Sequence, residues 1–170
     1  MRTYSTYPLV YRSSKLSIEA INRKSQAEIS LFLSFPYVNT LFFPKTLDIL
    51  EQNLPTVLKS KCFNKFNLPF RTEAAQTEMG HLFEHILLEY LFKLNLKYKG
   101  EKHVFSGRTS WDWKKDPRGL FKITINTTTD MEKFIFTIAL GKSIEILEKI
   151  ITSEIKKEGQ RILLPLEYNS

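Results

Sequence analysis

The sequence predicts an α+β fold: a small, mostly antiparallel sheet packed against two long helices, in a single domain spanning residues 1–170. Three observations point there. Residues 27–35 and 120–127 alternate apolar and polar side chains with the period of a half-buried strand. Residues 72–96 and 130–156 repeat apolar side chains at i, i+3, i+4 and i+7, the period of an amphipathic helix. At 170 residues the chain is long enough to bury a real core and short for two domains.

The elements follow in order. Residues 27–35 (A-E-I-S-L-F-L-S-F) form the first strand read from the pattern. Pro36 and Pro44 bound an extended segment, 37–43. Residues 46–53 read as a short helix stopped near Pro55, and 57–70 as a second short helix followed by a loop that ends at Pro69. The first long helix starts near Thr72, an N-cap residue with Glu73 in the first turn, and runs to about Leu96, before Gly100. Residues 101–109 are a strand, and 111–119 (W-D-W-K-K-D-P-R-G) are a turn by their Asp-Pro and Gly content. Residues 120–127 are a strand with Phe121, Ile123 and Ile125 on one face. The second long helix, 130–156, carries Phe134, Ile138, Ile144, Leu147 and Ile151 near one side. Gly141 interrupts it, at about 1 kcal/mol relative to Ala. Residues 161–170 read as one more strand or a loose tail, and the chain has no internal repeat or low-complexity segment.

Composition narrows the class. The formal charge is +7, but the lysines fall in loose groups (Lys59, Lys61 and Lys65; Lys93, Lys97, Lys99 and Lys102; Lys114 and Lys115) without a basic run or a glycine-rich phosphate loop. Nucleic acid is therefore not the expected partner. No apolar run approaches the ~20 residues of a membrane helix, and residues 1–10 have no hydrophobic signal core, so a cytoplasmic, membrane-free protein is expected. Cys62 is the single cysteine, which excludes an internal disulfide and suits a reducing compartment.

The chemistry concentrates in His81-Leu82-Phe83-Glu84-His85, inside the first long helix. Residues four apart on a helix share a face, so His81 and His85 present two imidazoles together, with Glu84 beside them. This is the reversed counterpart of the zinc-protease helix motif: two nitrogen ligands and a carboxylate able to take a proton from activated water. The spacing alone arises by accident in roughly one chain of this length in a few hundred. Its setting adds weight. The apolar stripe of Met79, Leu82, Phe83, Ile86, Leu87, Tyr90, Leu91 and Leu94 lies roughly opposite the histidines, while Leu88 and Phe92 lie on their side. A partly apolar cleft floored by His81, Glu84 and His85 fits both facts. Gly107-Arg108-Thr109 follows in the next strand, where Arg108 is within reach of the cleft to grip a carboxylate with two hydrogen bonds. A surface arginine in a turn is the plainer reading.

Together, His81 to Tyr90, Phe105-Ser106-Gly107-Arg108-Thr109 and Pro117-Arg118-Gly119-Leu120-Phe121 resemble the N-terminal domain of cyanophycin synthetase, over about residues 77–127. Ser106 is extra where that family reads F-G-R-T, and the two tryptophans of 110–115 are also unusual. The resemblance implies an accessory domain that binds an aspartate-backbone polymer with arginine side groups, and that in some members cuts it at a zinc-peptidase-like site. It implies His81 and His85 as metal ligands, Glu84 as general base, Glu89 as a further ligand, and Arg108 and Thr109 as substrate-binding residues. The chain carries no ligase domain, so polymerisation is not expected of it.

A catalytic zinc normally has three protein ligands and an open position. Glu89 sits about 12 Å along the axis from His81, where a role in orienting His85 is nearly as natural. Glu78, Cys62 and His103 are the other candidates. The S-ribosylhomocysteine lyases join H-x-x-E-H to a cysteine on an α+β fold of similar size, although a small buried hydrophobe is the favoured reading of Cys62. The expectation is a zinc-dependent hydrolase of amide bonds in cyanophycin or another peptide-like polymer. The alternatives are a non-catalytic module binding polymer or a partner ligase, and a lyase. A homodimer stays open as a partnership, since dimers are common for small domains, although no patterned seam marks one.

Overall fold

A computed structural model describes residues 8–63, 68–127 and 131–153, and the α+β expectation holds. Five strands form one antiparallel sheet: β1 (Leu9–Arg12), β2 (Leu16–Asn22), β3 (Gln26–Leu33), β4 (Ser106–Ser110) and β5 (Leu120–Asn126), in the order β1-β2-β3-β5-β4. Between β3 and β4 lie α1 (Thr46–Asn53), α2 (Phe70–Ala74) and α3 (Met79–Lys99), and α4 (Lys133–Ile151) follows β5.

Strand alternation sorts the sheet into two faces. Leu16, Ile18 and Ala20 of β2, Ala27, Ile29, Leu31 and Leu33 of β3, and Phe121, Ile123 and Ile125 of β5 are all buried on one. Glu19, Glu28, Ser30 and Lys122 are exposed on the other. Helix α3 covers the buried face over β4 and β5, and α4 packs on α3 and α1. The inner face is continued into β4 by Gly107 and Thr109, which pair with Ile125 and Ile123.

The boundaries are instructive. Helix α1 spans the expected residues 46–53. The hairpin of β1 and β2 was not read from the sequence, although L-S-I-E-A-I-N alternates cleanly. Residues 37–43, expected to be extended, contain a 3-10 turn at Thr40–Phe42, capped by the Asn39 side chain on Leu41 N. Within residues 57–70, the expected short helix is a 3-10 turn that starts at Pro55 (Pro55–Lys59). The long helix begins at Met79, not at Thr72, and residues 70–74 form a separate short helix. The break has a tertiary cause: Thr40 N bonds Thr77 O, Thr77 N bonds Thr40 Oγ1, and Met79 N bonds Val38 O, which commits those backbone groups to the 38–40 segment. The same helix runs on to Lys99, where Gly100 turns left-handed (φ 70°) and closes it on Leu96 O. In 101–109 only Ser106 onward pairs as a strand. Of the expected helix 130–156, Lys133–Ile151 is helical; residue 130, residues 154–156 and the tail 161–170 lie outside the described residues.

Candidate metal centre

The first half of α3 is enclosed on nearly every side. Leu82, Phe83, Ile86 and Leu87 are fully buried, Glu84 is 6% and His85 8% exposed, and His81 is half-buried. Close approach to the sheet is allowed by Gly80: a β-carbon there would lie 2.4 Å from the ring of Phe121. The glycine preceding His81 therefore sets the depth at which the motif sits.

His81 is held at both ring nitrogens. Nδ1 lies 2.8 Å from the hydroxyl of Thr77, one turn earlier, and Nε2 lies 3.4 Å from Cys62 Sγ. A hydroxyl on one nitrogen orients the ring and aims the other, as ligand-orienting groups do in metal sites. His85 stacks on Phe70, with ring centroids 3.8 Å apart and planes 15° apart, and meets His81 edge-on at 4.8 Å. Cys62 comes from another part of the chain. Its position is set by Cys62 N on Leu68 O (3.2 Å), Phe70 N on Ser60 O (2.9 Å) and the bridge between Lys61 and Pro69.

One donor atom each from Cys62, His81 and His85 lies within 4.8 Å of the others. In a tetrahedral zinc site, bond lengths of about 2.0–2.3 Å place ligand atoms roughly 3.4–3.6 Å apart. The Cys62–His81 edge, 3.4 Å, already has that length, and the His85 donor lies within 4.8 Å of both. The donor chemistry fits as well. Burial pushes His85 down to about 3, with the neighbouring His81 adding to it, and burial also lowers His81 against the opposing pull of Glu73. Both rings are thus neutral with lone pairs available near neutral pH, the form that binds metal.

Glu84 faces β4. Its Oε2 accepts a hydrogen bond from Thr109 Oγ1 at 2.5 Å. Burial raises its pKa above the ordinary carboxylate value, and the Thr109 hydroxyl offsets part of that rise. Gly107, two residues earlier, leaves the space the carboxylate occupies: a β-carbon there would stand 3.0 Å from Glu84 Cγ and Oε1. Cys62, His81, Glu84 and His85 all border one cavity of about 800 Å³, within the range of small-molecule sites.

The other residues singled out in the sequence fall as follows. Glu89 borders the cavity but accepts a hydrogen bond from Thr56 Oγ1 at 2.5 Å and is not among the three converging donors. Glu78 sits at the start of α3, bridged to Asn39, and the His103 ring lies against Phe105 at 4.6 Å. Thr109 points inward to Glu84, so strand alternation turns Arg108 toward the exposed side of β4, and it borders the cavity as an exposed residue. Cys62 is buried, as a small hydrophobe would be, yet its sulfur meets His81. Thr77 and Gly107 were not singled out as site residues. The i, i+4 spacing of Thr77 and His81 was visible in the sequence, whereas no local pattern links Cys62 or Gly107 to the helix.

No protein-family model and no curated protein matches the chain. Among the described residues, no helix is long and apolar enough to cross a membrane.

Proposed function

We propose that this chain is a metal-dependent hydrolase that cleaves amide bonds in a peptide-like polymer, cyanophycin or a relative, with zinc held by Cys62, His81 and His85 and with Glu84 as general base. What supports this reading is the convergence of three soft or borderline donors beside a buried carboxylate at a cavity wall. A divalent ion in that set supplies a Lewis acid that polarises the scissile carbonyl and acidifies water near neutral pH. Thr109 engages Glu84 Oε2, which leaves Oε1 to take the proton of the attacking water and return it to the leaving amine. Thr77 fixes the ring of His81, and Phe70 that of His85.

The sulfur in the donor set favours a second reading, a lyase of the S-ribosylhomocysteine type. Metal analysis and activity assays test both. The purified protein is expected to hold zinc stoichiometrically, to lose it in His81→Ala and Cys62→Ala, and to keep it in Glu89→Ala. Glu84→Gln is expected to retain zinc while amide hydrolysis falls by about 10²–10⁴-fold. Wild-type protein that binds no zinc overturns the hydrolase reading, and metal-free protein that still captures polymer makes the chain a binding module.

A further inference from the structure

The substrate class is written in the rest of the cavity. His81, His85, Leu88 and Phe92 follow one another at i, i+4, i+7 and i+11, a single stripe along α3. Leu88 and Phe92 therefore lie about 4.5 and 10.5 Å along the axis beyond His85, and both border the same cavity as the histidines. Phe105, Val104 and Phe63 line the cavity too. Phe63 is 88% and Val104 79% exposed, the two most exposed large apolar side chains among the described residues. Single exposed apolar residues need no explanation, but two on one cavity, continuous with an apolar floor, mark a surface built to be covered by a ligand. Of the charged groups of the lining, Glu84 is held by Thr109 and Glu89 by Thr56, while Lys61 and Arg108 are exposed side chains that also border the cavity.

We infer that this cavity receives a large apolar side chain, of the leucine or phenylalanine kind, next to the scissile amide. The inference rests on the hydrolase reading and moves its substrate, within the class of peptide-like polymers, away from cyanophycin itself to one with apolar side groups. A leucine or phenylalanine side group laid along Leu88 and Phe92 gains by leaving water, whereas an aspartate or arginine side group gives up hydration against the same apolar surface.

The test uses a dipeptide series, Leu-Gly, Phe-Gly, Ala-Gly, Asp-Gly and Arg-Gly. Binding to metal-free protein is followed by NMR titration and hydrolysis by zinc-loaded protein. Leu-Gly and Phe-Gly are expected to bind at least about tenfold tighter than Ala-Gly, the effect of covering one apolar side chain, and to be cut with the same preference. Phe92→Ala and Val104→Asp are expected to erase most of it; Val104 is a surface residue whose change leaves the core intact. Asp-Gly or Arg-Gly binding as tightly as Leu-Gly overturns the inference, as does a preference unchanged in both variants. A preference that persists without any hydrolysis upholds the apolar pocket and overturns the hydrolase reading alone.

Discussion

Two glycines in helices test the placement of the centre, because the same substitution should act with opposite sign. On helix propensity alone, Gly→Ala in a helix is worth up to about 1 kcal/mol of added stability. Gly141 in α4 has open space where a β-carbon would go. Gly141→Ala is therefore expected to gain about 1 kcal/mol and to raise Tm by about 2–4 °C. Gly80 in α3 faces three atoms of Phe121, at 2.4, 2.4 and 2.7 Å. Ordinary carbon contacts are about 3.5–4.0 Å, so helix or ring must retreat by about 1 Å. The ring has nowhere to go: Phe121 is fully buried, with Trp111 at 5.8 Å and Trp113 at 5.6 Å. Overpacking of this kind costs about 1–3 kcal/mol, which cancels or outweighs the propensity gain of up to about 1 kcal/mol and leaves a net loss of up to about 2 kcal/mol. Gly80→Ala is thus expected to lower Tm by up to about 8 °C, and to weaken zinc binding because His81 moves with the helix. Calorimetry on the two variants decides it. Equal stabilisation by both would refute the packing of α3 on β5 and the site derived from it.

Other expectations concern protons and the general base. His85, lowered to about 3 from the ordinary 6.5, and His81, also lowered, are neutral when folded and protonate when unfolded. Below pH 6.5 the unfolded chain binds more protons, so stability should fall as pH drops from 6.5 toward 3, by up to about 1.4 kcal/mol per pH unit for His85. Glu84, raised, acts in the opposite sense, losing stability as pH rises from 4.5 through its folded pKa. Urea unfolding of the metal-free protein at pH 7 and pH 5 should show the decline, and His85→Gln should flatten it; an unchanged slope in that variant would assign the effect elsewhere. Thr109→Val removes the hydroxyl that lowers Glu84, so the acid limb of the pH–rate profile should move to higher pH, and the loss of this part-buried hydrogen bond to the buried Glu84 should cost about 1–3 kcal/mol in unfolding measurements. An acid limb that stays in place would exclude Glu84 as the titrating base.

Local pattern carried much of the fold. The alternation of Phe121, Ile123 and Ile125 and the stripe opposite His81 and His85 are burial signals written within one element, because only one face of a strand or helix meets the core. Leu88 and Phe92, on the histidine side, foretold a cleft wall. The start of α3 was not legible in the same way: Thr72 and Glu73 look like an N-terminus, but bonds to Val38 and Thr40, more than thirty residues away, decide where the helix begins.

The sequence by itself determined the pair of imidazoles and the adjoining carboxylate, since helical periodicity puts residues 81, 84 and 85 together whatever surrounds them. Only the tertiary structure decided which third donor faces them. Glu89 is near in sequence yet turned to Thr56, while Cys62, separated by nineteen residues, is carried to His81 by backbone bonds between residues 60–62 and 68–70. Contacts between elements depend on chain crossings that no periodicity encodes, so the site's third corner, its threonine supports and the space left by Gly80 and Gly107 emerge only when helix and sheet are packed.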